Sequence, residues 1–203
     1  MLRHAGLIAI LLAMPTFAAD GEVKQTEKLP IEATLVSGQE KYELKLDGKT
    51  PADYAKMIKD AGKNPRALPP AAVVDLKLVL KNTGKEDIQI WVKGDTTEMK
   101  LVLEGEGTVN VKAQLAFTRE FRLPVPMKIE AGKSIELPIK SLSFGFRGTA
   151  ERAYWTQPGD YTLKAVFVTG VSPSPGEVKA DESGFGKVQI VTPAIKLKVV
   201  EVK

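Results

Sequence analysis

The 203-residue sequence has no cysteine, and its one histidine, His4, lies close to the N-terminus. Serine and cysteine nucleophiles usually depend on a histidine base, and zinc, copper, haem and iron–sulfur sites are built mainly from histidine and cysteine. Without cysteine, disulfide bonds and a lipid anchor attached through a cysteine are also excluded. These absences argue against an enzyme, and they predict a protein without a metal ion or a cofactor.

The sequence also lacks a concentrated run of basic charge. It has 29 basic and 25 acidic residues, and the lysines are spread along the chain. Proteins that bind nucleic acid gather their basic residues into a patch or a stripe. We therefore expect no nucleic-acid partner, and we interpret the lysines as residues that keep the surface soluble.

The N-terminal residues have the order of an export signal. Arg3 precedes an apolar run over residues 5–14, and Pro15 and the small residues Thr16 and Ala18 follow it. This pattern predicts a signal peptide over residues 1–18, with cleavage after Ala18. The apolar run is about half as long as the roughly 20 residues that span a bilayer. We expect an exported protein, periplasmic or extracellular, with no transmembrane span after cleavage.

Beyond the signal, polar residues 19–28 predict a flexible leader, and residues 29–203 predict a single domain. Apolar residues in that domain recur at every second position between turn residues, as in antiparallel sheets with one face in water. The predicted strands lie near residues 31–35, 42–46, 74–80, 88–92, 99–103, 109–115, 127–129, 135–139, 161–167, 188–190 and 195–199. The pattern predicts an all-β fold, an antiparallel β-sandwich of about ten strands.

One short helical insertion is predicted near residues 51–61. Thr50 can cap it, Pro51 suits its first position, and Asp53 stands where a capping-box acid belongs. Gly62 supplies its end. Two stretches without regular alternation, 140–158 and 170–186, predict long loops.

Two segments resemble a known fold family. The run LKLVLKNTGKEDIQIW at 76–91 is similar to the B–C hairpin of bacterial immunoglobulin-like or fibronectin-III-like domains, in which a strand ends in Asn-Thr-Gly. The run PGDYTL at 158–163 resembles a late strand of the same folds, where a turn precedes a tyrosine. The resemblance implies an immunoglobulin-like sandwich, without the disulfide cysteines of antibody domains.

Carboxylate chemistry is not excluded by the missing side chains. Asp47, Asp95 and Asp160 occur singly beside turn glycines, where Asp and Gly satisfy turn geometry, so they predict turns and not a calcium loop. Two acids across a cleft could hydrolyse a glycoside without any histidine. A carboxylate-based glycoside hydrolase therefore stays open as an alternative.

Aromatic residues make up 6% of the chain, so their positions are informative. Trp91 alternates with Ile88, Ile90 and Val92; if these face the core, Trp91 points outward as a candidate partner anchor, unless the helix or a loop covers it. The densest mixture of aromatic and arginine residues is 144–155. Its candidate partner-binding residues are Arg147, Arg152, Tyr154 and Trp155. Alternatively, this segment's own aromatic side chains fix a loop to the sandwich.

These observations favour an exported, non-catalytic binding or structural module that recognises a protein or a glycan. The alternative is a secreted protease inhibitor, for which an exposed rigid loop at 170–176 or 140–158 would be needed.

Overall fold

The computed structural model describes residues 29–62, 67–114, 120–145 and 149–201. The helix in these ranges is α1, Pro51–Ala61. Their strands are β1 (Ile31–Ser37), β2 (Lys41–Leu44), β3 (Val73–Asn82), β4 (Ile88–Lys93), β5 (Glu98–Glu104), β6 (Thr108–Gln114), β7 (Val125–Ile129), β8 (Ser134–Ser141), β9 (Ser143–Phe144), β10 (Thr149–Trp155), β11 (Gly159–Ser172), β12 (Gly186–Val191) and β13 (Ile195–Glu201). The predicted all-β fold is confirmed. The predicted signal peptide and leader lie outside the described residues.

The strand β3 shows how the period of two in the sequence becomes a packed sheet. Leu76, Leu78 and Leu80 are fully buried, whereas Lys77 and Lys81, on the opposite face of the strand, are exposed. Each such leucine contributes about 2 kcal/mol through the burial of its side chain. Because successive side chains of a strand point to opposite faces of the sheet, one face of β3 packs in the core and the other faces solvent.

Two main sheets enclose the core. One has three strands in the order β1-β3-β8. The other has seven strands: five lie in the order β2-β13-β11-β4-β7, and the remaining two, β12 and β5, also pair with β11. The long strand β11 pairs with β13 and β12 along one side and with β5 and β4 along the other. These pairings are antiparallel, but β2 pairs with β13 in parallel.

A smaller sheet, of order β6-β10-β9, supports the helix α1. Thr50 caps α1 by accepting a hydrogen bond from the backbone N–H of Asp53, and Pro51 occupies the first turn, so the predicted helix is confirmed. Tyr54 and Ile58 then bury the inner face of α1 in a second apolar cluster. The remaining buried residues of that cluster are Leu68, Val109, Val111 and Tyr154.

The predicted loop over 140–158 is wrong, because most of its described residues form strands. β10 pairs with β6 over its whole length and with β9 at Glu151 and Arg152. Both faces of β10 are covered: Tyr154 belongs to the cluster under α1, and Ala153 and Trp155 belong to the main core. A strand covered on both faces has no alternation to detect. The loop predicted over 170–186 is present, but it is shorter, from residue 173 to residue 185.

Among the described residues, no helix combines the length and the apolar character that crossing a membrane requires.

Candidate functional site

Trp155, one of the residues predicted to bind a partner, is buried. Its side chain is 4% exposed, and its ring lies 5.5 Å from that of Tyr42 and 6.1 Å from that of Tyr161, measured between centroids. The pKa of Tyr161 is raised by its burial. Trp155 therefore packs in the core, where no partner can reach it without local unfolding.

Tyr154 and Arg152 fasten the proline-rich segment to β10. The Tyr154 hydroxyl donates a hydrogen bond to the carbonyl oxygen of Pro69 at 2.8 Å, and burial raises the pKa of this tyrosine. Arg152 Nη1 donates to the carbonyl oxygens of Leu68, at 3.3 Å, and Pro69, at 3.0 Å. Tyr154 is only 2% exposed, so these contacts serve the fold rather than a partner. Arg147 lies outside the described residues.

Trp91 faces outward, as predicted from the burial of Ile90, but it is partly covered. Its ring packs so closely on Gly170 that a Cβ there would lie 2.4 Å from a ring carbon. Phe185, at the end of the loop 173–185, stacks on the Trp91 ring with centroids 4.7 Å apart and planes at 21°. Of the two outcomes open in the sequence, cover by a loop is the one observed, and little of the ring remains for a sugar.

The loop 173–185 is also held by its own hydrogen bonds. Asp181 Oδ1 accepts from the backbone N–H groups of Ser183 and Phe185, both at 2.9 Å, and Ser174 Oγ donates to the carbonyl oxygen of Val178 at 2.5 Å. Such a loop is ordered, as an inhibitor would need. Phe185 ties one end of this loop to the face of the sheet. Nothing in this geometry tests inhibition of a protease, so the inhibitor hypothesis stays a prediction.

Several exposed apolar side chains follow one another along the segment that leads into β7. Leu123 is 76% exposed, Val125 is 47% exposed and Met127 is 41% exposed, whereas Ile129 is 1% exposed. Alternate residues of an extended segment share a face, so these four form one stripe that runs out of the core. Met127 pairs with fully buried Ile90, which places the stripe on the inner face of the sheet. We call Leu123, Val125 and Met127 the open edge.

The open edge is uncovered because of its place in the two sheets. β7 is the last strand of the seven-stranded sheet and pairs with β4, while β8 is the last strand of the facing sheet and pairs with β3. Both strands leave the same turn, residues 130–133. On β8, Ile135 and Leu137 are only partly buried against the core. Among the described strands, none closes the sandwich between β7 and β8.

Hydrogen bonds to the backbone hold the open edge in position at both ends. At one end, the backbone N–H of Asp95 donates to the carbonyl oxygen of Arg122 at 3.0 Å, and the backbone N–H of Arg122 donates to Asp95 Oδ2 at 3.1 Å. At the other end, Asn82 Nδ2 donates to the carbonyl oxygen of Ile129 at 3.0 Å. The exposed side chains thus stand on an ordered strand, which lowers the entropy cost of binding.

One ion pair beside the open edge lies on the opposite face of the strand. Lys128 Nζ is 2.7 Å from Asp87 Oδ2, and Asp87 Oδ1 accepts from the backbone N–H of Ala131 at 3.0 Å. These two bonds, first that from Lys128, lower the pKa of Asp87 below its usual value. The inner face of the edge therefore presents Leu123, Val125 and Met127, and this ion pair points away from it; Lys93 of β4 is the residue that pairs with Val125.

A signal for this edge was present in the sequence. Leu123-Pro124-Val125-Pro126-Met127 alternates apolar residues with prolines. Proline cannot donate to a ladder of hydrogen bonds, so it occurs in edge strands and at bulges. The pairing of β4 with β7 shifts register between Trp91 and Lys93, next to Pro126.

The carboxylates do not form a paired catalytic arrangement in two surface cavities, one over β5 and β11 and a smaller one between β5 and the sheet β6-β10-β9. The larger cavity is lined by one carboxylate, Glu98, and the smaller by one carboxylate, Glu151, which is 3.4 Å from Lys112 Nζ. Within the described residues, no group of three or more histidine, cysteine, aspartate or glutamate side chains is arranged to hold a metal ion.

Comparison with known proteins gives little beyond this geometry. One solved structure that aligns with the chain is the ASH / PapD-like domain of human CEP192 (PapD-like domain 7), with 11% sequence identity, 93% of this chain and 100% of that chain covered, and a TM-score of 0.28. A likeness at this TM-score carries no argument about function. No family model matches the chain, and no curated protein matches it.

Proposed function

We propose that this protein is an exported, non-catalytic binding module, and that its open edge takes up an extended apolar segment of a protein partner. The observation that carries the proposal is the stripe of Leu123, Val125 and Met127, exposed at the edge of the sheet yet continuous with the core. Single apolar side chains scattered over a protein surface are normal, but a contiguous group of large exposed apolar side chains marks an interaction site. Export rests on the signal pattern of residues 1–18.

An extended protein segment fits the open edge better than a glycan does. Recognition of a sugar needs polar side chains that bond its hydroxyl groups and an accessible aromatic ring, but the stripe is aliphatic and the Trp91 ring is covered by Phe185. A segment with apolar side chains at alternate positions would match the spacing of Leu123, Val125 and Met127 along the strand. It would cover the partly buried Ile135 and Leu137 of β8 as well.

The two prolines limit how such a segment is held. Pro124 and Pro126 have no N–H groups. The side of β7 that is not paired with β4 therefore offers an incomplete ladder of backbone hydrogen bonds to an added strand. Most of the affinity must then come from apolar side chains that enter the gap between β7 and β8. The same prolines protect the edge against indiscriminate pairing with other strands.

The proposal is tested with the full mature chain and a displayed library of random nine-residue peptides, followed by fluorescence polarisation on the selected peptides. We expect apolar residues at alternate positions in the selected peptides. The variant Val125→Asp/Met127→Asp should weaken their binding by about tenfold or more, because each aspartate would have to enter an apolar gap without a partner. Leu123→Ser, at the most exposed position, should weaken it several-fold.

The matched control uses two exposed valines elsewhere. Val36 is 46% exposed and Val73 is 78% exposed, so Val36→Asp/Val73→Asp makes the same charge change on other strands. This control should keep the affinity of the wild-type chain. Equal loss in both double variants, with all chains folded by circular dichroism, or selection of peptides without an apolar pattern, would contradict the proposal.

A further inference from the structure

The outer face of the seven-stranded sheet carries a second, separate surface feature. A shallow cavity of about 410 Å³ lies over β5 and β11. Its floor is formed by Val102, Val166 and Val168, which are half-buried although they face away from the core. Lys100 and Lys164 stand at its sides. We call this cavity the outer trough.

The register of β5 and β11 explains the shape of the outer trough. Lys164 pairs with Val102, and Val166 pairs with Lys100, so the two lysines stand diagonally across two adjacent strands with valines between them. A lysine next to a valine on a pleated sheet leaves a depression over the shorter side chain. The trough continues into the cavity of about 290 Å³ over β5, β6 and β10, which Lys100 and Val102 also line.

The outer trough is lined by two lysines, Lys100 and Lys164, and by one carboxylate, Glu98. Two further lysines lie on the same face of the sheet. Lys187 pairs with Gly170, two residues after Val168 on β11, and Lys196 pairs with Thr162, two residues before Lys164. Neither Lys100 nor Lys164 is within ion-pair distance of a carboxylate in the part of the chain that the structure describes. The acids on the same face are Glu98, Glu104 and Asp160. Five of the described lysines do form an ion pair, for example Lys77 with Glu136 at 2.7 Å.

Valines on a face open to water, flanked by unpaired ammonium groups, favour a ligand with both apolar and anionic groups. Attraction between opposite charges sets the orientation of such a ligand, and burial of the valines adds affinity. A segment with alternating acidic and apolar residues has this chemistry at the spacing of a strand. A polysaccharide acid has the charge but no groups for the valine floor.

We propose that the outer trough is a second binding site, which takes an acidic segment of a protein partner with apolar residues between its carboxylates. The segment lies along β11, with its apolar side chains on Val102, Val166 and Val168 and its carboxylates near Lys100 and Lys164. This site is separate from the open edge, which lies on the inner face of the sheet and is formed by Leu123, Val125 and Met127. A partner can therefore contact the module at two places of different chemistry.

The test uses the full mature chain and three probes: an extended peptide of alternating glutamate and leucine, the same peptide with serine in place of leucine, and dextran sulfate. We expect the glutamate–leucine peptide to bind about fivefold or more tightly than the glutamate–serine peptide, from the burial of a few leucine side chains. Its affinity should fall with added salt. Lys100→Glu/Lys164→Glu should weaken it by about tenfold.

The control is Lys85→Glu/Lys133→Glu, which makes the same change of net charge at two exposed lysines away from the trough. It should reduce the affinity for the glutamate–leucine peptide less than twofold. Val125→Asp/Met127→Asp should leave this affinity unchanged, so failure of the outer trough and failure of the open edge can be distinguished. Equal loss in the two lysine variants, equal binding of the two peptides, or tighter binding of dextran sulfate in a way that depends on Lys100 and Lys164 would overturn the proposal.

Discussion

Trp155 and Val125 both lie on strands with apolar residues facing inward, but only the first is covered. β10, which carries Trp155, is paired on both sides, and its ring packs between Tyr42 and Tyr161. β7, which carries Val125, is paired with β4, and no described strand covers its inner face. The comparison shows that an apolar side chain stabilises the fold only where a second layer excludes water from it. Where that layer is missing, the same chemistry is available for binding.

The largest expected effect concerns the covered region. Trp155→Ala should lower the free energy of unfolding by about 3–5 kcal/mol, because it removes a large buried ring and leaves a cavity. Leu123→Ala, at the open edge, should change it by less than about 0.5 kcal/mol, since the side chain is already mostly in water. Urea denaturation of both variants and the wild type measures the difference. Similar losses in the two variants would mean that the open edge is covered in solution.

The sequence predicted the covered and uncovered parts of this fold unequally. The helix was predicted to the residue, because Thr50, Pro51 and Asp53 form a local capping pattern that needs no tertiary contact. The strand β3 was predicted from alternation, because one of its faces meets the core and the other meets water.

The strand β10 was missed for a tertiary reason. Tyr154 is buried by α1 on one face and Trp155 by the main core on the other, and both covering layers come from distant parts of the chain. Because Tyr154 and Trp155 are buried in this way, their side chains are not accessible to a partner at the predicted binding site. The sequence shows that an aromatic side chain has a large apolar surface. It does not show whether a distant part of the chain buries that surface in the folded protein.

The open edge was missed for the opposite reason. Met127 and Ile129 were predicted as an ordinary strand, and alternation alone cannot show that no neighbour lies beyond it. Pro124 and Pro126 held the missing information, because prolines in an alternating strand indicate an edge.

An intermediate effect is expected where the two regions are joined. Asn82 is fully buried at the end of β3, and its Nδ2 donates to the carbonyl oxygens of Glu86, at 2.7 Å, and Ile129, at 3.0 Å. Asn82→Ala leaves the buried carbonyl group of Ile129 and the partly buried one of Glu86 without this donor, and should cost about 1–3 kcal/mol of unfolding free energy. It should also speed amide hydrogen exchange in β7 more than in β10. Thr83→Ala, at the exposed neighbouring position, is the control and should do neither.

If Asn82→Ala speeds exchange equally in β7 and β10, the edge is not held separately from the rest of the sandwich. The comparison would then reduce to a difference in exposure. Faster exchange confined to β7 would show that one side chain keeps the open edge ordered for binding.

The smallest effect concerns surface charge. The Lys128 ammonium beside Asp87 holds the pKa of that carboxyl below its usual value, and the hydrogen bond from Ala131 adds to this. A carboxyl whose pKa is lower in the folded than in the unfolded chain stabilises the fold above its unfolded pKa, near pH 4, and this contribution is lost as pH falls through the folded pKa. Asp87→Asn should therefore lower the melting temperature slightly at pH 6 and by less at pH 2.5.

Asp75 offers the matched case in the covered sheet, since a hydrogen bond from Lys140 lowers the pKa of this equally solvent-accessible carboxyl. Asp75→Asn should give the same small difference between the two pH values, because exposed ion pairs contribute little wherever they stand. A much larger difference for Asp87→Asn would show that charge, rather than the bond from Asn82 to Ile129, holds the open edge in place. Equal differences would leave apolar cover as the property that distinguishes the two regions.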